Sequence, residues 1–253
     1  MDVTQLYESF MALEDPSFWQ DAYMKFYRAW FEGDRWKQYL QGMATTIEVT
    51  VIALIIGVIL GVLVAVVRTA HDQQRPGRHN FLLGFFNLFC KIYVTVIRGT
   101  PMMVQMLIMG FVIFASSRNT TMVGALALGI NSGAYVAEII RGGLMSLDPG
   151  QMEAGRSLGL NYFDTMRFIV VPQAFKAILP SLGNEFITLL KDTSLISVVA
   201  GREIVYFAQA IVARTYEAMY PFLITAAMYL VLVLLFTWLQ GKLERRLRQS
   251  DRR

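Results

Sequence analysis

Long apolar runs separated by short polar breaks organise the chain from residue 43 onward. The first run predicts a span over Met43–Val67, long enough for a hydrocarbon core of about 30 Å even when tilted. Glu48 sits near its start among Thr45, Thr46 and Thr50, and Gly57-x-x-x-Gly61 inside it would let another helix approach closely. Phe81–Ala115 is too long for one simple span, and Arg98-Gly99-Thr100-Pro101 divides it, because proline lacks a backbone donor and restricts the residue before it. Residues 81–97 then read as a membrane-surface lead-in and residues 101–116 as the core of the second span. Met122–Leu144 predicts the third, Arg167–Leu190 the fourth, bent by Pro172 and Pro180, and Pro221–Leu239 the fifth. Lys191–Tyr220 is polar with short apolar stretches and reads as external and partly re-entrant. The fold class is therefore all-α: a polytopic membrane protein of about five transmembrane helices.

Charge placement orients it. Arg68 to Asn80 carries Arg68, Arg75, Pro76, Gly77 and Arg78 immediately after the first span, and the tail from Lys242-Leu-Glu-Arg-Arg-Leu-Arg to Arg252-Arg253 is strongly basic. Positive residues favour the cytoplasmic side. Five crossings put both clusters there, with the N-terminus outside and the C-terminus cytoplasmic. Ahead of the spans, residues 1–42 form a separate extracytoplasmic or interfacial segment, residues 43–241 the transmembrane domain and residues 242–253 a basic tail. In the first segment Phe18, Trp19, Tyr23, Phe26, Tyr27, Trp30 and Phe31 recur near helical spacing among Asp21, Lys25, Arg28, Asp34 and Arg35. Such a helix suits a membrane interface, or packing on the protein's own spans. It does not have the form of a secretory signal.

Composition agrees: 55% of residues are hydrophobic and 17% charged, beyond the usual balance of a soluble domain. A single cysteine, Cys90, excludes an intramolecular disulfide framework. The two histidines, His71 and His79, both lie in the basic loop, which leaves no cysteine–histidine ligand set for a membrane hydrolase.

One polar stretch, Asp148 to Pro172, interrupts the apolar pattern. Asp148 can cap a helix whose first position is Pro149, with Gln151 placed to reach back as in a capping box. Gly159 supplies a stop, being tolerant of positive φ. Asn161 offers a second N-cap with Asp164 in the next first turn. The expectation is a short exposed helix, a glycine corner, and a new helix returning to apolar sequence.

Glu153-Ala154-Gly155, then Gly159, then Ile169 and Val171-Pro172 closely resemble the EAA loop of permease subunits of ABC importers. Gly155 stands for the pattern's second alanine and Val171 for its leucine, without disturbing the spacing. Arg98-Gly-Thr-Pro101 with Gln105, the run Asn131-Ser-Gly-Ala-Tyr135 through Glu138 to Arg141-Gly-Gly143, and Lys191-Asp-Thr-Ser-Leu195 look like the polar amino acid branch, the histidine, glutamine and arginine type. The similarity runs over about Tyr39–Arg248, leaving residues 1–38 outside it.

The resemblance implies a type I importer permease fold in the inner (cytoplasmic) membrane of a prokaryote. It also implies a polar amino acid substrate and no nucleic acid partner. Two separate ATPase subunits would hold ATP and Mg, with no cofactor on this chain, which has no G-x-x-x-x-G-K-[ST] phosphate loop. A second permease, identical or homologous, would complete the path, and an extracytoplasmic solute-binding protein would deliver substrate. Glu153, Ala154, Gly155 and Gly159, within a coupling loop at residues 146–168, would engage the ATPase.

For the pathway the candidates are Gln105, Asn131, Tyr135, Glu138, Asn184, Glu185, Asp192, Thr193, Ser194 and Ser197, polar groups at membrane depth that need a cavity or a partner. Glu138 and Arg141, three apart on one helix, could equally pair with each other. A secondary transporter or a regulatory membrane subunit are the competing readings; a secondary transporter would not need the EAA-like loop and often shows inverted repeats.

Overall fold

The computed structural model describes residues 2–74 and 80–250. Arg75, Pro76, Gly77, Arg78 and His79 of the basic loop, and Arg252 and Arg253 of the tail, lie outside the described residues. Every regular element among the described residues is helical. Two short helices, α1 (Val3–Met11) and α2 (Phe18–Trp30), form a hairpin ahead of α3 (Arg35–Asp72). Then follow α4 (Phe81–Gly99), α5 (Met102–Ile108) with a π-helical continuation to Ile113, and α6 (Thr120–Met145). The small α7 (Gly150–Ser157) and α8 (Tyr162–Thr165) precede α9 (Val171–Asp192). A 3-10 segment, Thr193–Val199, leads to α10 (Ile204–Thr215) and finally α11 (Met219–Ser250).

Among the described residues four helices are long and apolar enough to cross a membrane, or five if the bent pair Tyr162–Val199 with Ile204–Thr215 is one span. The count matches expectation. In the second region α4 alone has the length and composition of a span, its 19 residues rising about 28 Å, whereas Met102–Ile113 is a shorter apolar helix. Residues 81–97, read as a surface lead-in, therefore have the form of a crossing segment, and the Arg98–Pro101 break beyond them lies beside the middle of α6, where Gln105 meets Asn131. The first span is also longer than Met43–Val67, because α3 continues for 38 residues through polar ends. In the fourth, Pro172 occupies the first turn of α9, where a missing N–H costs little. Pro180 is carried inside the helix. The 45° bend falls instead between Val199 and Ile204, where Ala200 has φ +60°. The stretch expected to be mostly polar and external, Lys191–Tyr220, is largely helical and buries Ile196, Ile204, Ala208 and Ile211.

The core is the α3–α6 pair. A Cβ on Gly57 would stand 2.8 Å from Ser132 Oγ, and one on Gly61 would stand 2.7 Å from Val136 Cβ. The small residues of α3 therefore let α6 approach where any side chain would collide. Around this seam pack Val49, Ala53, Met106, Ala125, Leu128, Leu189, Ile196 and Val199. α2 does pack on the protein's own spans: Trp30 stacks on Tyr39 of α3, ring centroids 5.6 Å apart.

Candidate functional site

Two regions carry the candidate residues. The first is the loop after α6. Asp148 Oδ1 accepts the Gly150 N–H at 2.8 Å, as a helix cap does, and Pro149 after it already has helical backbone, φ −53° and ψ −26°. Gln151 does not close a capping box; its Oε1 accepts Gln173 Nε2 of α9 at 2.9 Å. α7 ends in a Schellman closure: Leu160 N–H donates to Gly155 O and Gly159 N–H to Arg156 O, both at 3.0 Å, with Gly159 at φ +79°. Asn161 Oδ1 then accepts the Asp164 N–H at 2.9 Å, capping α8.

Gly155 is buried against Thr165, whose Oγ1 would lie 2.7 Å from an added Cβ. The departure from the EAA pattern therefore has a local cause, since Thr165 fills the space an alanine methyl would take. Glu153 and Ala154 are exposed, and Glu153 has no ion-pair partner among the described residues. Leu158, Phe163 and Phe168 are exposed nearby in sequence. An outward carboxylate among apolar side chains on a rigidly closed loop is suited to a protein partner.

The second region lies between α5, α6 and α9. Gln105 folds back on the chain break: its Nε2 donates to Ile97 O and to Thr100 Oγ1, both at 2.8 Å. Its Oε1 accepts from Asn131 Nδ2 of α6 at 2.9 Å. The guanidinium of Arg98 stands 5.2 Å from the Tyr135 ring. Next along α6, Ser132 Oγ donates to Glu185 Oε1 of α9 at 2.7 Å. Asp192 lies seven residues, or two turns, beyond Glu185 on the same helix face. Neither carboxylate has a cation within ion-pair reach among the described residues. Thr193 Oγ1 donates to Leu190 O and Ser197 Oγ to Ser194 O.

Two candidates are drawn elsewhere. Glu138 is held between Arg68 of α3 and Arg141 of its own helix, so its charge is balanced inside the protein. Asn184 accepts from Gln240 Nε2 of α11 at 3.0 Å.

Sequence reading missed Glu203. It is fully buried, and its carboxylate accepts from Val205 N–H at 2.8 Å, Tyr206 N–H at 2.9 Å and Tyr229 OH at 2.7 Å. The same Tyr229 hydroxyl lies 3.4 Å from Thr193 Oγ1. An acidic residue directly before the apolar run of α10 was the available sign, since that is where an N-terminal cap belongs.

The sequence matches the family described as binding-protein-dependent transport system inner membrane component over residues 77–249. The chain belongs to that family and is a multi-pass transport permease subunit. It is 34% identical over 215 residues to the arginine transport system permease protein ArtQ of Bacillus subtilis, covering 84% of this chain and 93% of that one. It is 37% identical over 166 residues to the glutamine transport system permease protein GlnP of Escherichia coli, covering 64% and 76%. Among solved structures, an amino acid ABC transporter crystallised with histidines superposes with a TM-score of 0.74 at 39% identity, over 83% of this chain and 94% of that one. The fold is that of a type I ABC importer permease.

Proposed function

We propose that this chain is the membrane permease of an ATP-driven importer of polar amino acids, and that it favours substrates with a positive group. The observation that carries the substrate class is the pair Glu185 and Asp192, two carboxylates on one face of α9 that lack an ion-pair partner among the described residues. Charged groups at membrane depth are costly unless paired, and a substrate ammonium or guanidinium supplies the pairing. Gln105 and Asn131, with Tyr135, Thr193, Ser194 and Ser197, offer further polar contacts along the path. Relatives named for arginine and glutamine transport fit this reading.

Glu153, Ala154, Gly155 and Gly159 form the coupling element. An ATPase subunit receives Glu153 in a basic cleft, and its ATP-driven closure shifts α7 and, through Gln151–Gln173, α9. Substrate thus meets one of two arrangements biased by nucleotide. ATP and Mg reside on two partner ATPases, a second permease completes the path, and an extracytoplasmic solute-binding protein feeds it. The N-terminus is outside and the C-terminus cytoplasmic, in the inner membrane. The division into residues 1–42, 43–241 and 242–253, with the coupling loop at 146–168, belongs to the same proposal. The assembled complex in proteoliposomes tests it. Glu153→Lys should abolish ATP-driven uptake of a cationic or polar amino acid while the permease still inserts. Uptake that proceeds without ATP in both proteins would overturn the importer reading.

A further inference from the structure

The α1–α2 hairpin lies ahead of the residues matched to the family, and the transport cycle gives it no task. It is nonetheless a built unit. Tyr7 and Tyr27 stack with ring centroids 4.3 Å apart, and Phe10 meets Tyr23 edge-on at 5.6 Å. Tyr27 OH donates to Thr4 Oγ1 and Arg28 Nε to Tyr7 OH, both at 3.1 Å. Met24, Tyr27 and Ala29 of α2 are buried, and the stack of Trp30 on Tyr39 fixes the hairpin to α3.

What this packing leaves uncovered has a pattern. Phe18 and Trp19 are 76% and 80% exposed at the start of α2. With about 100° of rotation per residue, Trp19, Ala22 and Phe26 share one stripe, while Asp21, Lys25, Arg28 and Glu32 fall on the far side. Phe26 stands edge-on to Tyr220 in the first turn of α11, 6.4 Å between centroids. Met219, Phe222 and Leu223 of that helix are exposed. α11 is a membrane-crossing helix with little of its apolar window buried in the protein. The apolar surface that lipid covers on α11 therefore continues onto the aromatic stripe of α2.

We propose that the α1–α2 hairpin is an interfacial anchor, lying along the membrane surface where α3 and α11 enter the bilayer. Trp19 and Phe18 sit among lipid headgroups, where amphipathic rings are favoured, and the Asp21–Glu32 face meets water. Residues 2–34 hold seven acidic and two basic side chains. The attraction is therefore aromatic and not to anionic lipid, and it holds in zwitterionic bilayers and in high salt.

The test uses the full chain in phosphatidylcholine nanodiscs, with no other protein, and reads the Trp19 emission as wild type minus Trp19→Phe. Bromines placed high in the acyl chains should quench this difference signal about twofold more than bromines placed deep, unchanged by salt. A nitroxide at residue 18 in a Cys90→Ser background should be relaxed by oxygen, and one at residue 25 by an aqueous nickel chelate. If Trp19 emission ignores the bromines and falls with aqueous acrylamide, the hairpin faces water and the anchor is wrong. Shielding that develops only when a soluble protein is added would overturn it equally, by making the stripe a protein-docking pad.

Discussion

The loop between α6 and α9 and the polar set between the long helices solve the same problem in opposite ways. In the loop, polar backbone groups are satisfied by neighbours a few residues away: Asp148 by Gly150, Gly155 by Leu160, Asn161 by Asp164. One carboxylate, Glu153, is left free to meet something outside. In the membrane the partners come from other helices: Gln105 with Asn131, Ser132 with Glu185, Glu203 with Tyr229. Local closure makes a rigid handle that can be pushed as a unit. Long-range pairing makes a junction whose geometry depends on every helix that enters it.

The contrast can be broken by substitution, and the largest stability loss belongs to the membrane junction. Glu203→Ala strips three part-buried donors of their acceptor, at about 1 kcal/mol or more each, so thermal unfolding in detergent should shift downward. Tyr229→Phe removes one of those bonds and should lose only about a third as much. Gly61→Val drives a side chain into Val136, at a cost of about 1–3 kcal/mol. Gly84→Ala, where an added Cβ meets nothing within 4 Å, serves as its neutral control. Within the loop, Gly155→Ala collides with Thr165, and adding Thr165→Ala should recover most of the loss, a non-additivity that measures the contact. The smallest effect is Gly159→Ala, about 1 kcal/mol for a side chain at positive φ in open space, read as faster local proteolysis of the loop. Glu153→Lys should leave all these stabilities unchanged while ending uptake, which separates handle from scaffold.

The same contrast decides what could be read from the sequence. The glycine stop at Gly159 and the cap at Asn161 follow from local backbone chemistry, and both are found. Gly57 and Gly61 signalled a close approach, but their partners on α6 could not be named, since spacing reports a face and not its neighbour. The Arg98–Pro101 break pointed to a surface lead-in over residues 81–97, whereas the 19-residue α4 there has a span's own length and composition. Glu138 and Arg141 pair as their spacing allowed, yet Arg68 joins from 70 residues away, which no local pattern indicates. Glu203 escaped for the same reason: its Tyr229 partner is 26 residues distant on another helix.

The length of α3 has a mechanical consequence. Its 38 residues extend about 57 Å, nearly twice the hydrocarbon thickness of about 30 Å. At one end it is joined to the aromatic hairpin through a corner in which Gly33 and Asp34 both take left-handed backbone. At the other, Gln73 accepts from the Tyr162 hydroxyl in the loop between α6 and α9. A single strut therefore gives both faces of the bilayer a common datum, so any tilt imposed at one surface is registered, leveraged and in phase, at the other.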